Sequence, residues 1–149
     1  PLAAFIQIYQ PAYFERVGLR YLNFISRNAL DLNGTPWRDL IESRYLGILA
    51  DEEIQEAATA RCTMDTELSI RGGCRAKIHA GPGMVKKNIP NAPQDPEVKF
   101  IFDMDLYCPG KVEVNYSVGA LQMLHSNAYP IFRGAISDRL HRAMEPILI

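Results

Sequence analysis

The chain has 149 residues, of which 48% are apolar and 22% charged, enough for one domain with a sizeable core and ordinary for a globular protein in water. A formal charge of −1 removes any global electrostatic case for nucleic acid or an acidic membrane surface. No apolar run approaches the roughly 20 residues that a membrane-spanning helix needs, and no signal-peptide pattern opens the chain, so a cytoplasmic protein with no membrane contact is expected.

Leu2, Phe5, Ile6 and Tyr9 fall at helical spacing and predict the last turns of a helix before Pro11. A terminus this apolar is unusual, since chain ends are normally solvated. Residues 1–149 are therefore expected to form a single α+β domain that is the carboxy-terminal portion of a longer protein.

Residues 14–27 predict the strand around which the rest is laid. Side chains alternate faces along a strand, so Val17, Leu19, Tyr21, Asn23 and Ile25 share one side and Arg16, Gly18, Arg20, Leu22 and Phe24 the other. The first set is the more apolar and should face the core, which puts Asn23 inside with an amide that needs partners. Arg20 points outward, beside a glycine that leaves room for a long side chain. Both residues fit ordinary structural roles, an amide tie and a surface ion pair, and both are candidates for a binding site.

Asn33-Gly34 marks a turn. Thr35-Pro36 then reads as an N-cap followed by proline at the first helical position, opening a helix through Trp37, Leu40 and Ile41 to about Tyr45. Over residues 54–70 the even positions are Ile, Glu, Ala, Ala, Cys, Met, Thr, Leu and Ile, with Glu56 the one charged exception. That alternation predicts a long strand despite the helical propensity of its start.

A three-residue loop at Arg71-Gly72-Gly73 sets Ile70 opposite Cys74, Leu68 opposite Ala76, Thr66 opposite Ile78 and Met64 opposite Ala80. The other face then pairs Glu67 with Lys77 and Asp65 with His79, whereas a two-residue loop would mix the faces. Residues 81–97, with prolines 82, 90, 93 and 96, predict a long mobile loop. Residues 98–107 predict a last strand, with Val98, Phe100, Phe102, Met104 and Leu106 inward and Lys99, Ile101, Asp103, Asp105 and Tyr107 outward.

From Ser117 the period turns helical, with Leu121, Leu124, Ala128, Phe132, Ile136, Leu140 and Met144 in one apolar stripe. Pro130 should kink or break that helix, and Asp138 and Arg142 are spaced to pair along it. His125 sits near the stripe, as a semi-buried histidine with a partner or as part of a site. The sum is an antiparallel sheet of about four strands with a long carboxy-terminal helix packed on one face.

The order Gly18-Leu19-Arg20-Tyr21-Leu22-Asn23, Asp103-Met104-Asp105-Leu106-Tyr107, Leu124-His125, Phe132, Ala135-Ile136-Ser137-Asp138 and Met144 resembles a sporadically distributed family of uncharacterised prokaryotic proteins. The resemblance runs over nearly the whole chain, and the Gly-Leu-Arg-Tyr-x-Asn motif is its most specific part. It implies a longer parent chain with an amino-terminal half, and it implies no activity.

The sequence contains no nucleotide-binding glycine loop, no zinc motif and no nucleophile elbow. Cys62, Cys74 and Cys108 have no C-x-x-C spacing and are expected to be reduced, partly buried thiols. Asp103 and Asp105 share a strand face, a spacing able to hold a divalent cation and equally that of any solvated face. Arg133, Arg139, His141 and Arg142 make the last helix basic, with Lys86-Lys87 adding charge in the loop, but no interleaved aromatics invite nucleic acid. Two readings follow, neither with a cofactor. One is a non-catalytic interaction or ligand-binding domain that contacts a second copy or the missing half, through Arg20, Asn23, Asp103, Asp105 and His125. The alternative is a metal-assisted hydrolase using Asp103 and Asp105.

Overall fold

The computed structural model describes residues 2–85 and 93–145. Lys86-Lys87 and the middle of the loop expected to be mobile lie outside these residues. The elements are helix α1 (Leu2–Tyr9), strands β1 (Tyr13–Phe14), β2 (Val17–Ile25), β3 (Met64–Ser69), β4 (Arg75–Met84), β5 (Val98–Cys108) and β6 (Val112–Glu113), then helices α2 (Ser117–Arg133) and α3 (Asp138–Ala143). The fold is α+β: an antiparallel four-stranded sheet in the order β2-β5-β4-β3, a small β1–β6 ribbon, and the long helix α2 packed on one sheet face.

Alternation decides which face is covered. In β5, Phe100, Phe102 and Leu106 are fully buried and Met104 nearly so, while Asp103 and Asp105 between them remain partly accessible. Ala76, Ile78 and Ala80 of β4 bury on the same side. Against them lie Leu124 and Ala128 of α2, Leu140 of α3 and a cluster from the loop after β2 that includes Trp37, Leu40 and Tyr45. Phe102 is the junction, its ring meeting Tyr45 edge-on at 5.1 Å and Phe132 at 5.9 Å.

The β3–β4 hairpin has the expected register, from Met64 opposite Ala80 to Leu68 opposite Ala76, and the Ile70 N–H donates to the Cys74 carbonyl. Its turn places Gly72 and Gly73 at φ 75° and 70°, a conformation that side chains with a Cβ resist.

Several expectations are corrected. No continuous helix follows Thr35; residues 37–50 form three short 3₁₀ turns instead. The Leu40 carbonyl accepts from Ser137 N, Glu42 N donates to the Ala135 carbonyl, and Ile41 bridges Ile136, so groups that a helix needs internally are spent on a distant segment. The Thr35 hydroxyl, expected to cap, accepts from Arg139 at 3.0 Å. The long strand is likewise confined to β3, because Glu56 turns inward: its carboxylate accepts from Trp37 N and from Arg27, and a 3₁₀ turn, Glu56–Ala58, forms there.

Pro130 is accommodated within α2, which ends at Arg133; α3 then starts afresh with the Ser137 hydroxyl accepting from Leu140 N. Asp138 pairs with Arg133 rather than hydrogen-bonding Arg142. Cys74 and Cys108 form a disulfide, leaving Cys62 free. The expectation of three reduced thiols fails because the β4–β5 register, Arg75 opposite Tyr107, brings the two cysteines face to face at the end of the ladder. No helix among the described residues is long and apolar enough to cross a membrane.

Candidate functional site: the open face of the sheet

The four strands turn one face to the helices and leave the other without a helix or strand over it among the described residues. The open face is set by parity: even residues of β2 and odd residues of β5, β4 and β3. The registers align them in rows across the sheet. One row runs Arg20, Asp105, Lys77, Glu67. The next runs Leu22, Asp103, His79, Asp65. In the first row β2 and β4 bring basic side chains and β5 and β3 carboxylates; in the second β2 brings Leu22 and the other three strands keep that pattern.

Arginine's planar fork suits a carboxylate two bonds at a time. Arg20 uses it on Asp103, donating from Nε at 2.9 Å and from Nη2 at 2.6 Å. Directly opposite Arg20, Asp105 is instead taken by Arg16, whose Nη2 lies 2.7 Å from both its oxygens. Arg16 also lies over the Tyr107 ring at 4.8 Å, and the Tyr107 hydroxyl donates to Glu67 at 2.7 Å. Arg75 donates to the same Glu67 oxygen at 3.1 Å, and His79 Nδ1 meets Asp65 at 2.6 Å. Lys77 makes no ion pair among the described residues; its ammonium stands 5.6 Å from the centre of the Tyr107 ring.

These contacts set the charge states. The hydrogen bonds from Arg20 hold the Asp103 carboxyl below its ordinary value against the opposing effect of burial, with the Arg20 charge and His79 adding to the lowering. Hydrogen bonds from Tyr107 and Arg75 lower Glu67 in the same direction. All three of these carboxylates, Asp103, Asp105 and Glu67, are therefore engaged by cations or a phenol. A concavity of about 540 Å³ lies among Arg20, Asp65, Glu67, Lys77, His79 and Asp103.

Of the candidate residues, the structure brings Arg20, Asp103 and Asp105 together and separates them from the other two. Asn23 faces the helices, half-buried, and its Nδ2 donates to the Phe102 carbonyl at 3.2 Å. His125, on α2, meets the Tyr21 hydroxyl through Nδ1 at 2.7 Å, also on the covered side. The sheet lies between these groups and the acidic pair. Arg16, Arg75 and Tyr107 belong to the open face and were missed as site residues, although the outward parity of each strand already contained them.

The arrangement does not suit a metal. Among the described residues no group of three or more His, Cys, Asp or Glu is placed to hold an ion, and Asp103 and Asp105 each already face a guanidinium. A larger cavity of about 760 Å³ lies near Trp37, Arg27 and Glu56, but its Arg27 and Glu56 neutralise each other at 3.0 Å.

Compared with protein-family models, curated proteins and solved structures, the chain has no match in any of the three.

Proposed function

We propose that this is a non-catalytic interaction domain whose open sheet face docks a protein partner. The observation that carries the reading is the division of the sheet: one face packs its central strands against the helices, and the other carries an ordered field of charges, most of them paired. Arg20 keeps 64% of its side chain exposed and Arg75 53%. Pairs with so exposed a cation contribute little to folding stability, so stability alone is a poor reason for three arginine–carboxylate pairs, one of them bidentate, on one face. Fixed charges on a rigid sheet are well suited to selecting a partner, where complementary patterns give specificity and a faster encounter.

A metal-assisted hydrolase remains the competing reading, and the guanidinium partners of Asp103 and Asp105 weigh against it. Cytoplasmic location belongs to the proposal as well. The Cys74–Cys108 bridge, of a kind rare in reducing compartments, weighs against that location.

Hydroxyl-radical footprinting tests the docking face without knowing the partner. Tyr107, His79 and Leu22 should label strongly in dilute purified protein and be protected in the cells that make it. Equal labelling in both settings overturns the proposal. A melting-temperature rise with Mg²⁺ or Mn²⁺ that Asp103→Asn abolishes would restore the hydrolase.

A further inference from the structure

The partner's shape can be read from the charge pattern itself. We propose that the open face docks a second copy of this chain about a two-fold axis that runs along the strands, between β5 and β4. This rests on the reading of the open face as the docking surface.

Symmetric dimers are isologous, each patch meeting itself turned over. A two-fold axis along the strands between β5 and β4 exchanges the two halves of the sheet, so β2 faces the partner's β3 and β5 faces the partner's β4. Each row is then laid on itself reversed. In the row Arg20, Asp105, Lys77, Glu67, Arg20 meets the partner's Glu67 and Lys77 meets the partner's Asp105. In the next row, Asp103 meets the partner's His79. One level on, Tyr107 meets the partner's Arg75, an aromatic ring against a guanidinium.

The competing arrangement fails on the same pattern. A two-fold axis across the strands lays each strand on its own copy, so that an axis at the first row sets Arg20 on the partner's Arg20, and Asp103 and Asp105 meet the partner's acidic β5. Like charges pressed together disfavour it. Lys77, without an ion pair of its own, gains one only in the first arrangement.

The face is also large enough. Strands of 9, 11, 10 and 6 residues at about 4.8 Å spacing and ~3.3 Å per residue give at most roughly 570 Å² per copy, or about 1,100 Å² in total, the size of a weak, reversible interface. The dimer should therefore be concentration-dependent and weakened by salt.

Sedimentation of charge-reversed variants tests the geometry. Arg20→Glu alone sets two carboxylates together at each end of the dimer, and Glu67→Arg alone sets two guanidiniums together. Each variant should sediment as a monomer where the wild type is a dimer. An equal mixture should dimerise again, because both contacts in the mixed pair then carry opposite charges. Rescue on mixing also shows that both chains are folded, and Lys77→Glu with Asp105→Lys repeats the test at the inner contact should either first variant fail to fold. Singles that dimerise like the wild type, or mixtures of folded chains that stay monomeric, overturn the proposal. A wild type that stays monomeric while its open face is protected in cells overturns the second copy alone and leaves a different protein as the partner.

Discussion

Phe102 and Asp103 are neighbours in β5 and lie on opposite faces of the sheet, so substituting each in turn separates the two roles assigned to those faces. Phe102 is fully buried, with its ring against Tyr45 at 5.1 Å and Phe132 at 5.9 Å. It therefore links the sheet, the 3₁₀ segment and the end of α2. Phe102→Ala removes the buried ring and leaves a cavity that three separate elements would have to collapse to fill. The cost for such a change is about 3–5 kcal/mol, a large share of the roughly 5–15 kcal/mol that holds a domain folded. Urea denaturation reads it as a fall in midpoint at unchanged slope. Asp103→Asn, one residue on, weakens a pair whose arginine is largely exposed and should cost no more than about 1 kcal/mol. A loss below about 1 kcal/mol for Phe102→Ala, or an equal loss from both variants, would refute the division into a packed face and an open one.

Three further outcomes are expected. Glu56→Ala strands the Trp37 N–H and takes the carboxylate from Arg27, which keeps the Thr35 carbonyl; a loss of about 1–3 kcal/mol should appear in the same denaturation assay, and an unchanged midpoint would contradict the inward placement of Glu56. The Asp103 carboxyl is held low in the folded state by Arg20, so its contribution is fully present above the ordinary carboxylate range and is lost as pH falls through the lowered value. Carbon-detected NMR titration should show that midpoint rising in Arg20→Ala, and no movement would break the assigned pairing. Finally, alkylation of native protein should modify Cys62 only, with Cys74 and Cys108 reacting after reduction in denaturant. Three reactive thiols in unreduced, denatured protein taken directly from cells would show that the bridge is not formed there.

The parts of the fold visible in the sequence are those whose determinants are close together. The β3–β4 register follows from matching faces around Arg71-Gly72-Gly73, since a one-residue slip would expose Ile78 and bury Lys77. The stripe through Leu124 and Ala128 similarly marks the buried side of α2. What escaped depends on distant partners. Residues 37–45 have the signals of a helix, but Leu40 and Glu42 bond to residues 137 and 135, nearly a hundred positions away. The alternation over 54–63 is a coincidence of composition, broken by one inward glutamate. The disulfide needs the β4–β5 register, which crosses the long intervening loop. Of the site, outward parity made Arg20, Asp103 and Asp105 legible together. That Arg20 takes Asp103 diagonally, rather than Asp105 opposite, depends on Arg16 reaching over from the turn before β2.

The most direct measurement is a dilution series of backbone amide NMR spectra on the wild-type chain. Concentration-dependent shifts should gather on the open face, at Arg20, Asp103, Lys77 and Glu67, and fade as salt is raised. Other exposed apolar groups offer a clear contrast: Ile8 and Tyr9 on α1 are 72% and 70% exposed, and Tyr129 on α2 is 66% exposed. Shifts gathered at those residues, or none on the open face at any concentration, would contradict self-docking through the sheet.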